Sequence, residues 1–277
     1  MIPKKLKKDK IAIMCIGVIL FYFSIALLAQ LGLIANNFNS PNFDEAYSPP
    51  SLKHLCGTDF LGRDVLARLI HGSRIALSVG LVSSAIAIPI GVFFGAIAGY
   101  FGGRLDELIV WFYSTLDSIP GLLLIMALSL VLGRGLYAVY FALGLTTWVS
   151  LCRLIRGEFI KHKEREYVMA ARALGAGHFR IIFRHILPNV FHIVIINFSL
   201  RFVFAIQAEV ILSYLGIGVQ DLPSWGIMIN DAKVELARGV WWQLAGASGA
   251  MFFIVLAFNV FGDALRDALD PKLRGLQ

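Results

Sequence analysis

Charged residues are scarce in this sequence: they make up 16% of its 277 residues, whereas hydrophobic residues make up 58%. Water-soluble globular proteins carry about 25% charged residues, so this composition excludes an ordinary soluble domain. The chain also lacks a low-complexity tract and a linker long enough to divide it. We therefore predict a single domain over residues 1–277, embedded largely in a lipid bilayer.

Cysteine and the sequence motifs of catalysis are equally sparse. The three cysteines lie far apart, which excludes a disulfide framework and a cysteine metal site. His178, His185 and His192 recur every seven residues, but the breaks at Gly177 and Pro188 keep them from sharing one regular helix face. No GxxxxGK[ST], HExxH or GxSxG motif is present. We therefore predict no ATPase site, no catalytic residues and no metal site in this chain.

Long apolar runs are what the sequence has instead, and runs of about 18 residues or more can cross a bilayer as helices. Six spans are predicted, at residues 11–34, 77–101, 108–132, 136–151, 190–215 and 244–261. Five lysines precede the first span and no clean cleavage site follows it, so we interpret it as a retained anchor rather than a signal peptide. The predicted fold class is an all-α integral membrane protein with six transmembrane helices.

The distribution of Lys and Arg predicts the orientation of these spans. Alternate segments between the spans, including both chain ends, carry 17 of these residues, the remaining segments carry 7, and Arg201 lies within a span. Because cytoplasmic segments are enriched in Lys and Arg, both termini are predicted to be cytoplasmic, as is the loop 153–189. The net charge of +7 is then a topology signal, since no basic groove with interleaved aromatic residues indicates nucleic-acid binding.

The predicted domain has three parts: residues 1–76 with the first span and an outside segment, residues 77–264 with the core spans, and the cytoplasmic tail 265–277. Two outside stretches, 63–71 and 228–236, have helical apolar faces and are predicted to lie near the membrane surface. Within the second span, Gly91, Gly95 and Gly99 recur every fourth residue. Chance is the alternative, but two GxxxG steps favour close packing of another helix.

Residues 166–188 of the cytoplasmic loop contain two apolar patterns at helical spacing, out of phase with each other. They comprise Tyr167, Ala170, Ala171 and Leu174, and then Phe179, Ile182, Phe183 and Ile186. Gly175 and Gly177 lie between them, and Pro188 lacks the amide needed inside a helix, so we predict two short helices joined by a sharp bend. Interfacial helices that contact lipid headgroups are one alternative. The Ala and Gly residues favour the other, a docking site for a protein.

Three ionisable residues, Asp117, Arg201 and Glu209, fall within predicted spans, where such groups usually face a cavity or a partner. Asp117 precedes Ile119 and Pro120, which predict a kink. Arg201 and Glu209 are eight residues apart, about 12 Å along a helix, and roughly on one side of it. Both are candidates to line a pathway. The alternative is hydrogen bonding between helices, which is also our interpretation of the amide side chains in the spans, including Asn197.

The pattern Ala170-Ala171, three residues, Gly175 and then Leu187-Pro188 resembles the cytoplasmic "EAA" loop of permease subunits of bacterial ABC importers. Further motifs agree in order and spacing: GTDFLGRD (57–64), SIPGLLL (118–124), LSYLGIGV (212–219), PSWG (223–226) and GDALRDALDPKLRG (262–275). Together they resemble the second permease of the dipeptide, oligopeptide and nickel branch, over nearly all of the chain from Gly57 onward. One departure is Met169, where the family usually has Glu, and we hypothesise that Glu166 replaces that residue.

The resemblance implies the type I importer architecture in the bacterial inner membrane, with transport of peptides by alternating access. Nickel or another chelated metal is the alternative substrate. The implied partners are a second permease, two cytoplasmic ATPases that hold ATP and Mg²⁺, and an extracytoplasmic binding protein, with no cofactor on this chain. The residues implied to couple the ATPases to the spans are Glu166, Tyr167, Ala170, Ala171, Gly175, Gly177, Phe179, Arg180, Leu187 and Pro188. A secondary transporter without ATPases would not need this loop.

Overall fold

The structure, a computed structural model, describes residues 9–269, so the basic residues Lys4, Lys5, Lys7 and Lys8 and the tail 270–277 lie outside it. Nearly all regular structure in this range is helical. The helices are α1 (Lys10–Gln30), α2 (Val65–Phe101), α3 (Gly103–Asp117), α4 (Gly121–Val131), α5 (Gly135–Thr146), α6 (Trp148–His162), α7 (Glu166–Ala173), α8 (His178–Arg180), α9 (Leu187–Tyr214), α10 (Trp225–Leu236) and α11 (Trp242–Leu269). A π-helical segment (Ile181–Ile186) joins α8 to α9 without a loop.

Five helical runs are long and apolar enough to cross a membrane, and α3 with α4 forms a sixth, bent by 88°. The bent pair carries the chain from one end of the bundle to the other. It follows α2, whose Tyr100 hydroxyl lies 2.9 Å from His178 Nδ1 near α7, and it leads to Gly135, whose amide donates to the Gly218 carbonyl beyond α9. The all-helical fold with six spans is therefore confirmed, with the kink at Pro120.

Both ends of the described chain lie at the end of the bundle that carries α7. Ala12 in the first turn of α1 packs against Ala268 in the last turn of α11. Arg266 lies beside His192 of α9 and Leu154 of α6 in the wall of one small cavity. A chain that crosses the bundle an even number of times must have both of its ends on the same side of it.

Several predicted bounds were wrong. The stretch 63–71 is not a separate surface element, because α2 begins at Val65 and already buries Arg68 and His71. The Asp64 side chain caps this helix by accepting from the Ala67 amide at 2.8 Å, which explains why it starts twelve residues before the predicted span at Leu77. The fourth span likewise extends beyond its prediction to His162, because α6 follows α5 after Thr147.

Helix α2 lies at the centre of the bundle and packs most extensively against α6. A Cβ atom added to Gly91 would lie 2.9 Å from the Trp148 carbonyl oxygen, and one added to Gly95 would lie 2.6 Å from that of Cys152. At Gly99 the corresponding distance, to the Arg156 carbonyl oxygen, is 2.5 Å. The three glycines therefore form the strip of α2 on which the α6 backbone rests, because any larger residue would hold the two helices apart.

The end of the bundle opposite α7 is closed by residues 42–64 and by α10. The Trp242 indole donates to the Thr58 carbonyl at 2.9 Å, and the Phe60 amide donates to Glu235 Oε1 at 3.0 Å. Glu235 is 1% exposed, and its burial raises the pKa of its carboxyl to about 7. These hydrogen bonds attach the segment between α1 and α2 to α10 and to the start of α11.

A buried charge cluster reinforces the same attachment. Asp59 is fully buried and accepts from Arg63 Nε at 2.7 Å and from the Arg68 guanidinium. Arg68 also lies 3.6 Å from the carboxylate of Asp231 on α10. Burial raises the pKa of Asp231. Buried carboxylates and guanidinium groups need such pairing, because an isolated buried charge costs several kcal/mol.

Candidate functional site

Helix α7 is a short helix outside the spans that ends in a defined turn. Gly175 has φ +79°, the left-handed conformation that follows a helix. The Ala176 amide donates to the Ala171 carbonyl and the Gly175 amide to the Arg172 carbonyl, both at 3.0 Å. These two bonds form a Schellman motif. The left-handed backbone that this motif requires at position 175 explains why the residue there is glycine. Gly177, by contrast, is extended at φ −69° and precedes α8.

Of the predicted apolar face of α7, only Ala171 is buried within the bundle, and Tyr167, Ala170 and Leu174 are exposed. Val168 and Ala171 are the residues of α7 that pack into the bundle, at 0% and 7% exposure. Leu174 is 89% exposed and Ala170 is also exposed, while Tyr167 is held beside α6 by a 2.8 Å hydrogen bond to His162. The pattern indicated a helix, but the packing partner decides which face is buried, and Val168 joins a core cluster with Ile181, Ile182 and residues of α6.

The second predicted helix does not end at Pro188. The π-helical segment leads into α9, where Pro188 occupies the first turn, and the Leu187 amide donates to the Ile182 carbonyl five residues back. This wider turn accommodates the proline because an amide is not required at that position. Of the predicted face, Ile182 and Ile186 are buried, whereas Phe179 and Phe183 are exposed and stack on each other with ring centroids 4.4 Å apart.

Three large apolar side chains in α7, the turn after it and α8 are exposed, and we call them the α7 surface: Met169, Leu174 and Phe179. Their exposures are 51%, 89% and 75%. Glu166, Arg172 and Arg180 are exposed around it. Exposed large apolar side chains with exposed charged residues near them in the sequence are typical of a protein-binding site. Leu187 is only partly exposed, and Pro188 is exposed one turn further on.

A cavity of about 420 Å³ with a largely apolar wall that contains a few polar groups lies at the break between α3 and α4. Its wall includes Asp117 and Arg201. Asp117 forms an ion pair with Arg153 at 2.7 Å, and both side chains are about half exposed. The Arg201 guanidinium donates to the Thr147 carbonyl and, at 2.9 Å, to Ser150 Oγ. The kink thus brings charged and hydroxyl groups from three spans together within the bundle.

Glu209 is not part of this cavity. It is fully buried and accepts from Ser213 Oγ at 2.7 Å, one turn further along α9. Eight residues on a helix correspond to two turns plus about 80°, so Glu209 points to a different side of α9 than Arg201. Of the two alternatives offered for Glu209, the pathway role therefore has no support from this cavity.

A second cavity of about 320 Å³ continues along α9 toward the α7 end. The two cavities share Asn197 and Leu200. Their α9 residues run from His192 to Phe204, a track about 18 Å long at the rise of an α-helix. Asn197 was predicted to be only a helix-to-helix partner, and the structure places it at the junction of the two cavities. Ser150 and Thr147 were missed because isolated hydroxyl residues in an apolar run give no pattern.

No group of three or more His, Cys, Asp or Glu side chains that could hold a metal occurs within residues 9–269. His178 contacts Tyr100, and His192 Nδ1 lies 3.0 Å from the Asn189 carbonyl oxygen. Conventional metal sites need several such ligands converging at about 2–2.5 Å. The polar groups of the cavities are instead arranged along a track, which suits passage rather than retention.

A six-span bundle with cavities along one span that contain a few polar groups, together with exposed apolar residues at one end of the bundle, defines a membrane transport subunit. The chain belongs to the family described as binding-protein-dependent transport system inner membrane component, whose model matches residues 91–275. It is therefore a multi-pass membrane protein of the permease type and not an enzyme in itself.

Curated relatives match almost the whole chain. The dipeptide transport system permease protein DppC of Bacillus subtilis (strain 168) is 40% identical over 98% of this chain and 85% of its own length. The oligopeptide transport system permease protein OppC of the same strain is 36% identical over 98% of this chain and 88% of its own length. The glutathione transport system permease protein GsiD of Pectobacterium atrosepticum is 37% identical over 92% and 85%.

A solved structure of the MetNI methionine ABC transporter in inward-facing conformations contains a similar chain. Its TM-score is 0.59 at 16% identity, covering 73% of this chain and 97% of that one. At this identity the likeness concerns the fold, which is the type I ABC importer permease fold predicted from the sequence. The resemblance to the second permease of the dipeptide and oligopeptide branch is confirmed by the family and by the relatives.

Proposed function

We propose that this chain is the membrane permease subunit of an ABC importer that carries di- and oligopeptides by alternating access. Its proposed partners are a second permease, two cytoplasmic ATPases that bind ATP and Mg²⁺, and an extracytoplasmic binding protein. The bacterial cytoplasmic membrane is the proposed location. The names of the relatives, which are permeases for dipeptides, oligopeptides and glutathione, support the substrate class.

The observation that carries this proposal is the α7 surface. Leu174, at 89% exposure, would lie in water if nothing covered it, and removing a leucine side chain from water contributes about 1.5–3 kcal/mol. The excess of Lys and Arg supports a cytoplasmic position for this end of the bundle, where the ATPases would be. An ATPase groove is the proposed cover. Because Ala171 packs inward, it supports α7 from behind rather than contacting the ATPase.

The cavities supply the proposed pathway. Leu200 and Phe204 form part of the wall next to Arg201, and they are 53% and 41% exposed. The wall is therefore incomplete on one side of this chain. A second permease placed against the exposed face of α9 would close it, which supports a pathway between two permeases rather than a channel within one.

The test is a pair of leucine substitutions in the complete transporter, reconstituted in lipid with its partners. Leu174→Ser removes the most exposed apolar group of the α7 surface, and Leu52→Ser is the matched control, because Leu52 is 99% exposed in the segment at the opposite end. We expect Leu174→Ser to reduce recovery of the ATPases with the permeases and to reduce ATP-driven uptake of a labelled tripeptide. Leu52→Ser should leave recovery of the ATPases unchanged.

Two outcomes would contradict the proposal. Full recovery of the ATPases with the Leu174→Ser variant would show that the α7 surface is not their docking site. Uptake of a nickel chelate but not of the tripeptide by the unaltered transporter would overturn the peptide assignment while leaving the importer architecture in place.

A further inference from the structure

Arg201 lies in the middle of α9, within the wall of the cavity of about 420 Å³. Its exposure is 7%, so the guanidinium is almost completely removed from solvent. Two neutral groups contact it, the Thr147 carbonyl and the Ser150 hydroxyl, and its Nε has no hydrogen-bond partner. A guanidinium has five N–H donors, so several remain available for another acceptor.

The charge of Arg201 is not balanced within the described part of the chain. No carboxylate there lies within ion-pair distance of its guanidinium. Asp117 is the other charged residue in the wall of the cavity, and Arg153 already neutralises it. A buried charge without a counterion is costly, and in membrane proteins such groups usually mark the route of a substrate or ion.

We propose that Arg201 is a transient binding site for the terminal carboxylate of the transported peptide. This inference rests on the proposed function and names the group of the substrate that the pathway recognises. Dipeptides, longer peptides and glutathione all carry a free carboxylate, and a guanidinium binds that group through two parallel hydrogen bonds. The cavity volume falls within the range of about 300–1,000 Å³ that is usual for small-ligand sites.

The position of Arg201 suits transient binding during transport rather than permanent retention of a ligand. Arg201 stands at one end of the track along α9, and Asn197 joins its cavity to the next one toward the α7 end. The polar groups beyond Asn197 in that second cavity are His192 and Arg266. A carboxylate that leaves Arg201 in this direction therefore meets further hydrogen-bond donors. Neutral partners at Thr147 and Ser150 keep the guanidinium oriented without competing for its charge.

The test compares uptake of trialanine and of trialanine amide, which lacks the carboxylate, by the complete reconstituted transporter at saturating binding protein. The quantity measured is the ratio of the two turnover rates. Any preference of the binding protein cancels when the ratio for a permease variant is divided by the ratio for the unaltered permease. We expect Arg201→Gln to lower the acid-to-amide ratio by about tenfold, as loss of one charge-assisted contact requires.

Two further variants control for structural damage. Arg201→Lys keeps the charge but not the paired donors, so its ratio should lie between those of the unaltered and Gln permeases. Arg104→Gln removes a positive charge from an exposed site at the start of α3, and its ratio should not change. If Arg201→Gln prevents assembly of the transporter, Arg201→Lys remains as the test. An acid-to-amide ratio of the Arg201→Lys transporter equal to that of the unaltered transporter would overturn the proposal.

The outcomes separate this inference from the proposed function. Equal losses for the acid and the amide in the Arg201 variants would mean that Arg201 pairs with a carboxylate of the second permease or is only structural, and would overturn the carboxylate site while peptide import stands. Failure of the unaltered transporter to take up either peptide with ATP would overturn both.

Discussion

Replacement of Gly95 by alanine inserts one methyl group between α2 and α6. The added Cβ would lie 2.6 Å from the Cys152 carbonyl oxygen and 2.9 Å from Ile155 Cβ. Carbon atoms in favourable contact are about 3.5–4.0 Å apart, so the two helices must separate by roughly 0.6–1 Å at this point. The Cys152 oxygen belongs to the helix backbone and cannot turn aside as a side chain can.

The magnitude follows from two opposing effects. Inserting a methyl group into a packed interface costs about 1–3 kcal/mol, whereas alanine in place of glycine within a helix contributes about 0.5–1 kcal/mol. Because the clash is with the helix backbone, the cost should fall in the upper half of its range, about 2–3 kcal/mol, and we expect Gly95→Ala to destabilise the chain by about 1–2.5 kcal/mol. Gly157 is the matched control, since it lies on α6 and an added Cβ meets nothing within 4 Å. Gly157→Ala should stabilise the chain by about 0.5–1 kcal/mol.

The assay is thermal unfolding of the purified transporter in lipid nanodiscs, followed for this subunit. A change of 1 kcal/mol corresponds to about 2–4 °C in a domain of 150–250 residues, so the two variants should shift Tm in opposite directions. An unchanged or higher Tm for Gly95→Ala would refute the reasoning, because it would show that α2 and α6 do not approach as closely as the structure indicates.

Two other predictions concern charged groups. The carboxyl of Glu235 has a pKa of about 7 in the folded chain against an ordinary 4.5. Between these two pH values the folded chain keeps the proton that the unfolded chain has lost. The free energy of unfolding should therefore fall by about 3 kcal/mol as the pH rises from 4.5 to 7 and stay level above pH 7. Glu235→Gln should reduce that slope in Tm measured from pH 4.5 to 8, leaving the smaller contribution of Asp231, and an unchanged slope would refute the assignment. Arg153→Gln breaks a half-exposed ion pair with Asp117 and should lower the free energy of unfolding by less than about 1 kcal/mol. Arg156→Gln removes two hydrogen bonds of 2.5 and 2.6 Å to the more buried Asp106 and should lower it by about 1.5–3 kcal/mol. Equal Tm shifts for these two variants would count against this ranking.

Features that depend on neighbouring residues in the sequence were predicted well. Pro120 predicted the break in the third span because a proline leaves a helical carbonyl unpaired, and α3 and α4 meet there at 88°. Apolar length predicted the number of spans. Glycine spacing predicted a close helix contact on α2 but could not name α6 as its partner, because that identity depends on the arrangement of the whole bundle.

Features that depend on packing were predicted poorly. Tyr167, Ala170, Ala171 and Leu174 do follow helical spacing, yet the π-helical segment lies against Val168, and that contact decides which side of α7 is buried. A π-helical turn has no pattern of apolar residues that distinguishes it from an α-helical one, so Pro188 indicated a helix end that does not occur. The hydroxyl partners of Arg201 lie more than fifty residues away in sequence and become neighbours only through folding.

Residues His178 to Tyr214 form one uninterrupted helical run, so this part of the protein is stiff rather than flexible. About 30 Å of helix separates Ile181 from Arg201, and a helix resists stretching and bending along that length. Under the proposed function, a displacement of α7 would therefore be transmitted along this helix to Arg201 and Asn197.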